Sequence, residues 1–265
     1  MNFDNKRRVL IVGLPKSGTT ILTYRVSAAL GKAKIFFEPG KQNSLSNPVI
    51  HNDIYLSPGK TAISKSLFIP ISGYDIPAIE KYYNRKIWIY RDPRDWIISR
   101  YLYKWKHLDD MSVNKFCAKL RKKEENPSGV NFYPLMTPNF IQKSIYNYNE
   151  LISVLDELDD DWMVLKYEDF IKNKLGGINE YLGVDLDPSV EVSEKYSRVV
   201  RSKSYNNWKT WFNENDVNFF APKLNSILNK LGYSPIDWSL ENPIKIDSSL
   251  GSDYVKKLHS SKLNM

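Results

Sequence analysis

The stretch VLIVGLPKSGTTIL at residues 9–22 constrains this chain more than any other. An unbroken apolar run from Arg8 to Leu14 reads as a strand buried on both faces of a parallel sheet. A turn with two glycines follows. From Thr19 onward Ile21, Leu22, Val26, Ala29 and Leu30 recur at helical spacing, and Gly31 marks a stop. A strand feeding a helix through such a turn aims backbone N–H groups and the positive end of a helix at one place, which suits an anion. Gly13 and Gly18 keep the spacing of the nucleotide triphosphatase loop G-x-x-x-x-G-K-[ST]. Thr19 stands where that loop has its lysine, and the cation has moved back to Lys16.

Further strand-like runs occur at Lys34–Phe37, Thr61–Phe68, Lys86–Tyr90 and Met163–Lys166, with helical material between them. Such alternation predicts a three-layer α/β/α class with a mostly parallel central sheet flanked by helices. Asp92-Pro93 is expected to start a helix, with Asp92 as N-cap and Pro93 at the first helical position, and another helix from about Glu168. Residues 107–138 have weak periodicity, a charge cluster and several turn residues, which predicts a peripheral insertion or lid on the substrate side. Residues 236–265 are polar and serine-rich, and no structure is assigned to them. Without repeats or a strong linker, 1–265 is expected to be a single domain.

Composition narrows the setting. Lys and Arg number 38 against 30 Asp and Glu, a net charge of +8 that suits an anionic partner without choosing among them. Apolar residues at 42% argue against wholesale disorder. The single cysteine, Cys117, cannot form an intramolecular disulfide, and a reducing compartment fits. The apolar run VLIVGL is too short for a signal peptide or a membrane span, so the expectation is a soluble cytoplasmic protein without integral membrane association.

The segment KIWIYRDPRDWIISRY carries a second anion-binding pattern. Strand C-terminal ends line the ligand crevice of a parallel sheet, so Arg91 is expected on the same edge as the Gly13–Thr20 turn. An arginine there offers a phosphate two parallel hydrogen bonds.

Together, PKSGTT after one strand and RDPRDWIISRY after a later one resemble the two signature segments of the sulfotransferase family, whose donor is 3′-phosphoadenosine 5′-phosphosulfate (PAPS). LKYEDF at 165–170 resembles the family's YED segment, and RSKSYNNWK at 201–209 resembles its late R-K-G-x-x-G-D-W-K loop. The four segments come in the family's order and run from residue 13 to 209. The resemblance implies a P-loop fold in which Pro15, Lys16, Ser17, Gly18, Thr19 and Thr20 hold the 5′-phosphosulfate. It also implies that Arg91 and Ser99 hold the 3′-phosphate, that Tyr167 lies near the adenine, and that Arg201 reaches the 3′-phosphate from the late loop. Ser202 and Lys203 replace a Lys-Gly pair in that loop, so Lys203 can supply the basic group instead; Asn206-Asn207 replaces Gly-Asp. Trp208 suits either stacking on the adenine or a place in the core, with the structural role slightly favoured.

Sulfuryl transfer needs a base within reach of the acceptor hydroxyl. Cytosolic small-molecule members use a histidine in a K-T-H segment, where this chain has Lys65-Ser66-Leu67, and leucine takes no proton. Glu38, in IFFEPG, resembles the Glu-Pro strand end of the Golgi-type carbohydrate enzymes, whose glutamate is the proposed base. Glu38 is therefore the expected base and His51 its rival. Lys65 would neutralise sulfuryl oxygens, and Lys16 the bridging oxygen of the leaving nucleotide. PAPS is the expected donor, PAP the product, and no metal is required, since no H-E-x-x-H or paired cysteines occur. The acceptor tilts toward a carbohydrate hydroxyl of a glycan or glycoside rather than nucleic acid. Two other classes fit parts of the pattern: a P-loop kinase or NTPase using ATP and Mg²⁺, with Asp92 as metal ligand, and a non-catalytic binder of polyanions or nucleic acid through WIISRYLYKWKH.

Overall fold

The apolar run Arg8–Gly13 forms β1, the middle strand of a five-stranded sheet ordered β2-β3-β1-β4-β5. The structure is a computed structural model that describes residues 7–37, 61–70, 79–194, 204–242 and 245–262. The other strands are β2 (Lys34–Phe37), β3 (Ala62–Leu67), β4 (Arg85–Tyr90) and β5 (Trp162–Lys166). All of their pairings are parallel, with Ile11 opposite both Lys65 and Ile87, and Tyr90 opposite Lys166. The α/β class expected from the alternating pattern is the one observed. The chain moves from β1 to β2 and β3 on one side, then to β4 and β5 on the other. β1 is thus the switch point of the sheet, and in open parallel sheets ligands bind beyond the strand C-termini at such a point.

The described residues form two compact units, one within 1–91 and 153–199, the other within 92–152 and 200–265. The first holds the sheet. Val9, Leu10, Ile11 and Val12 are completely buried, as a strand covered on both faces requires. Helix α1 (Thr19–Ala29) packs Ile21, Leu22 and Val26 into the core formed with Ile63, Ile87, Ile89 and Phe170. Burying a side chain of that size contributes about 1.5–3 kcal/mol, so this one cluster anchors the sheet. Gly13 is required where β1 meets β4, because a Cβ there would overlap the carbonyl oxygen of Ile89.

The second unit is helical. Helix α2 (Pro93–Leu102) begins as expected: the Asp92 carboxylate accepts the N–H of Arg94, and Pro93 sits at the first position, where its missing N–H costs nothing. Helices α3 (Asp110–Glu125) and α4 (Pro138–Glu157, whose last residues belong to the first unit) follow. Its core is aromatic: Trp96 meets Tyr148 edge-on at 5.1 Å, and Tyr101 does the same with Phe116, Phe132 and Phe140.

Two stretches are more ordered than their patterns suggest. Much of 107–138 is α3, whose buried stripe is Val113, Phe116, Cys117, Leu120 and Lys123. The fifth member is a lysine, which hides the helical period. Its ammonium is completely buried and bonded to the carbonyls of Pro127 and Val130 at 2.7 Å, with Asp216 at 3.5 Å. In the tail, residues 252–262 form a helix docked by polar contacts: the Glu124 carboxylate accepts both the N–H and the hydroxyl of Ser252, and buried His259 contacts the Leu108 carbonyl. Partners more than 120 positions away leave no local signature. Among the described residues, no helix is long and apolar enough to cross a membrane.

Candidate active site

The turn after β1 carries the most concentrated set of anion-binding features. Gly18 is the N-cap of α1 in the left-handed region (φ 93°), and no side chain caps the helix. The first N–H groups of α1 therefore lack an intrahelical partner and face the end of the turn. The Ser17 N–H closes the turn onto the Leu14 carbonyl at 3.1 Å, while the buried Ser17 hydroxyl has no hydrogen-bond partner among the described residues. Lys16 is held at φ 76°, a conformation that costs a non-glycine residue about 1–2 kcal/mol. Strain of this kind collects at ligand clamps. An uncapped helix end, a partnerless buried hydroxyl and a lysine in the turn fit a phosphate-bearing nucleotide.

Strand register brings two more expected residues to the same edge. The Phe68 N–H extends the β3 ladder to the Gly13 carbonyl at 2.9 Å, so Lys65 and Ser66 flank the end of β1. Lys65 is buried, its ammonium 5.4 Å from the centroid of Phe37. Ser66, which the sequence did not single out, also keeps a buried hydroxyl with no hydrogen-bond partner among the described residues. Its position after a strand-end lysine was the available signal. Arg91 follows β4, and its guanidinium lies 4.5 Å over the Tyr167 ring. Tyr167, which opens a short helix after β5, also covers Gly18: a Cβ added there would lie 2.5 Å from its ring. The Arg91 expectation for the strand edge is thus met. Burial and the carboxylates of Glu168 and Asp169 push the Tyr90 phenol well above its ordinary value, so it stays protonated at neutral pH.

In the second unit, Ser99 is buried on α2. Arg94 and Asp95, which an isolated reading of RDPRD would leave as surface ion pairs, are buried. Arg94 pairs with Asp92 at 2.7 Å and lies over Trp208 at 4.1 Å, and Asp95 accepts the Trp208 N–H at 3.0 Å. Asp92 is thus committed to a cap and an ion pair rather than to Mg²⁺. Trp208 is completely buried, which gives it a packing role. Asn206 takes φ 59°, so the residue replacing glycine in the late loop adopts the left-handed conformation that asparagine tolerates best after glycine. Glu38, His51, Arg201 and Lys203 lie outside the described residues.

A parallel sheet whose switch point carries a glycine turn into an uncapped helix defines an open α/β fold of the kind that binds ligands at its strand ends. The sulfotransferase domain family matches residues 6–220, more than half of the chain, and the protein belongs to that family. Among solved structures, mouse sulfotransferase SULT7A1, crystallised with PAP, is similar at a TM-score of 0.53 and 16% identity, over 84% of this chain and 85% of that chain. A sulfotransferase from Alicyclobacillus acidocaldarius is similar at a TM-score of 0.48 and 16% identity, over 86% of this chain and 97% of that chain. No curated protein sequence matches significantly.

Proposed function

We propose that the protein moves a sulfuryl group from PAPS to a carbohydrate hydroxyl and releases PAP. The observation that carries this is the turn itself: an uncapped helix N-terminus and a partnerless buried Ser17 hydroxyl beside a lysine in a strained conformation. PAPS supplies the group to be transferred. Pro15 to Thr20 bind its 5′-phosphosulfate, and Lys16 neutralises the charge left on the leaving nucleotide. Lys65, buried at the neighbouring strand end, faces the charge that develops on the sulfuryl oxygens. Arg91 binds the 3′-phosphate with its orientation fixed by Tyr167. Ser99, and Arg201 or Lys203, join it on the strength of the family resemblance, which also brings Tyr167 to the adenine.

Glu38 acts as the general base. It takes the acceptor proton as the new O–S bond forms, and the electron pair of the breaking bond stays with the departing phosphate oxygen. The Glu-Pro pair after β2 and the Leu67 in place of a histidine support Glu38 and a carbohydrate acceptor. A free, buried Cys117 fits a reducing, cytoplasmic setting.

The test is transfer from labelled PAPS to a panel of glycosides, peptidyl tyrosine and phenols without added metal, followed by product mass. Sulfated glycoside is the expected product. Glu38→Gln should keep PAP binding within about twofold and lower transfer at least about 100-fold. Metal-dependent ATP turnover without PAP binding would overturn the proposal, and a large loss from His51→Ala with none from Glu38→Gln would move the base to His51.

A further inference from the structure

Arg25 is a buried charge that the transfer chemistry above does not use. It is 4% exposed, its Nη2 donates to the Pro188 carbonyl at 2.6 Å, and its guanidinium lies 4.6 Å over the Phe170 ring. Its Nε and Nη1 are buried with no hydrogen-bond partner among the described residues, and no described carboxylate forms an ion pair with it. Asp187, whose charge acts on it from a distance, is exposed and turns its carboxylate to the Ser189 N–H at 2.7 Å. An arginine keeps its charge when buried, and burying one on these terms is costly. A leucine or methionine packed on Phe170 would avoid that cost.

The place of Arg25 on α1 supplies a reason for the charge. It stands seven residues after Gly18, two turns along the same face, which is about 10 Å of helix rise. Helical side chains lean toward the N-terminus of their own helix, so a long arginine reaches back toward the turn. The neighbours agree. Phe170 shares the short helix Tyr167–Ile171 with Tyr167, whose ring covers Gly18 and whose phenol acts electrostatically on Arg25. Arg25 is the only charged residue of α1, so nothing on the helix opposes it. Attraction between charges across a buried path is screened little by salt. We propose that Arg25 is a remote counter-charge for the donor nucleotide: a fixed cation behind the Gly13–Thr20 turn that raises affinity for the 5′-phosphate end without touching it. The bound anion then balances a charge that the chain itself leaves unpaired.

The proposal rests on the reading of the turn as a PAPS site, and its test separates charge from hydrogen bonding and from packing. PAP is titrated by calorimetry into the full chain and into Arg25→Lys, which keeps the charge, Arg25→Gln, which keeps a donor alone, and Arg25→Met, which keeps the packing alone. Affinity should follow the charge: Arg25→Lys within about threefold of wild type, and Arg25→Gln and Arg25→Met each about tenfold weaker. Without nucleotide, the unfolding midpoint of Arg25→Met should equal or exceed that of wild type, since an unpaired buried cation has gone. Affinity kept in Arg25→Gln but lost in Arg25→Lys would make the Pro188 hydrogen bond the active element and overturn the proposal. Equal losses in all three variants with a lowered midpoint would overturn it as well, leaving Arg25 a packing residue. If wild type and Arg25→Met bind PAP equally, the role of Arg25 falls and the donor reading stands; if wild type binds no PAP, both fall together.

Discussion

The Arg91 guanidinium lies 4.5 Å over the Tyr167 ring, and the same ring closes off the space beside Gly18. One aromatic side chain therefore sets both the turn at Gly18 and the strand-end arginine. β5 pairs with β4 so that Tyr90 faces Lys166, and Tyr167 leaves the sheet beside Arg91. A cation over an aromatic face gains about 0.5–2 kcal/mol, enough to hold a long side chain in one orientation.

Gly18→Ala should damage the site twice. The left-handed backbone costs alanine about 1–2 kcal/mol, and its Cβ would meet Tyr167. PAP affinity, measured by calorimetry, should fall at least about tenfold. With Tyr167→Ala the steric part of the penalty vanishes, so the double variant should lose less than the sum of the two single losses. Full additivity would contradict the contact.

Arg91→Lys keeps the charge but loses both the planar fork and the stacking on Tyr167. PAP binding should weaken at least about tenfold, with the unfolding midpoint lowered by no more than about 5 °C. Wild-type affinity in this variant would remove Arg91 from the 3′-phosphate site.

The buried Lys123–Asp216 pair predicts a stability effect unconnected with catalysis. Asp216 accepts the N–H groups of Phe132 and Tyr133 at 2.7 and 2.8 Å, and that of Asn213 at 3.1 Å. Asp216→Asn strips the charge opposite a buried ammonium and turns a donor toward a donor. Urea unfolding at constant slope should show a loss of about 3–5 kcal/mol. A loss below about 1 kcal/mol would mean that the lysine is satisfied by its two carbonyls alone.

Acid should loosen the C-terminal helix. The Ser248 hydroxyl first, and then Arg121, hold the Asp253 carboxyl below its ordinary value. A depressed carboxyl contributes its stabilisation above the unfolded-state value of 3.8 and loses it as pH falls through the lower folded value. Amide protection factors over 252–262 should drop between about pH 5 and pH 2, and Asp253→Asn should flatten that drop. A pH-independent wild-type profile would sink this assignment.

The strands and the turn at Gly13–Gly18 were legible because both are local. A buried parallel strand needs an unbroken apolar run, a left-handed cap needs a glycine, and a helix starting at Pro93 needs a cap such as Asp92, so residues 8–31 and 86–102 announce their own conformations. The period of α3 was obscured because Lys123 occupies a core position, and its charge is answered by carbonyls and by Asp216, residues that no helical pattern can include. The tail helix was missed for a related reason: Glu124 and Leu108 dock it from far along the chain.

By itself, then, the sequence determined the order of the strands, the strand-turn-helix unit around Gly13–Thr20 and the family, since backbone preference and apolar period act within a dozen residues. Tertiary structure alone decided that Tyr167 would sit between Gly18 and Arg91, and that Arg94 and Asp95 would be buried against Trp208. These contacts depend on strand register and packing between segments distant in sequence, where local propensity carries no information.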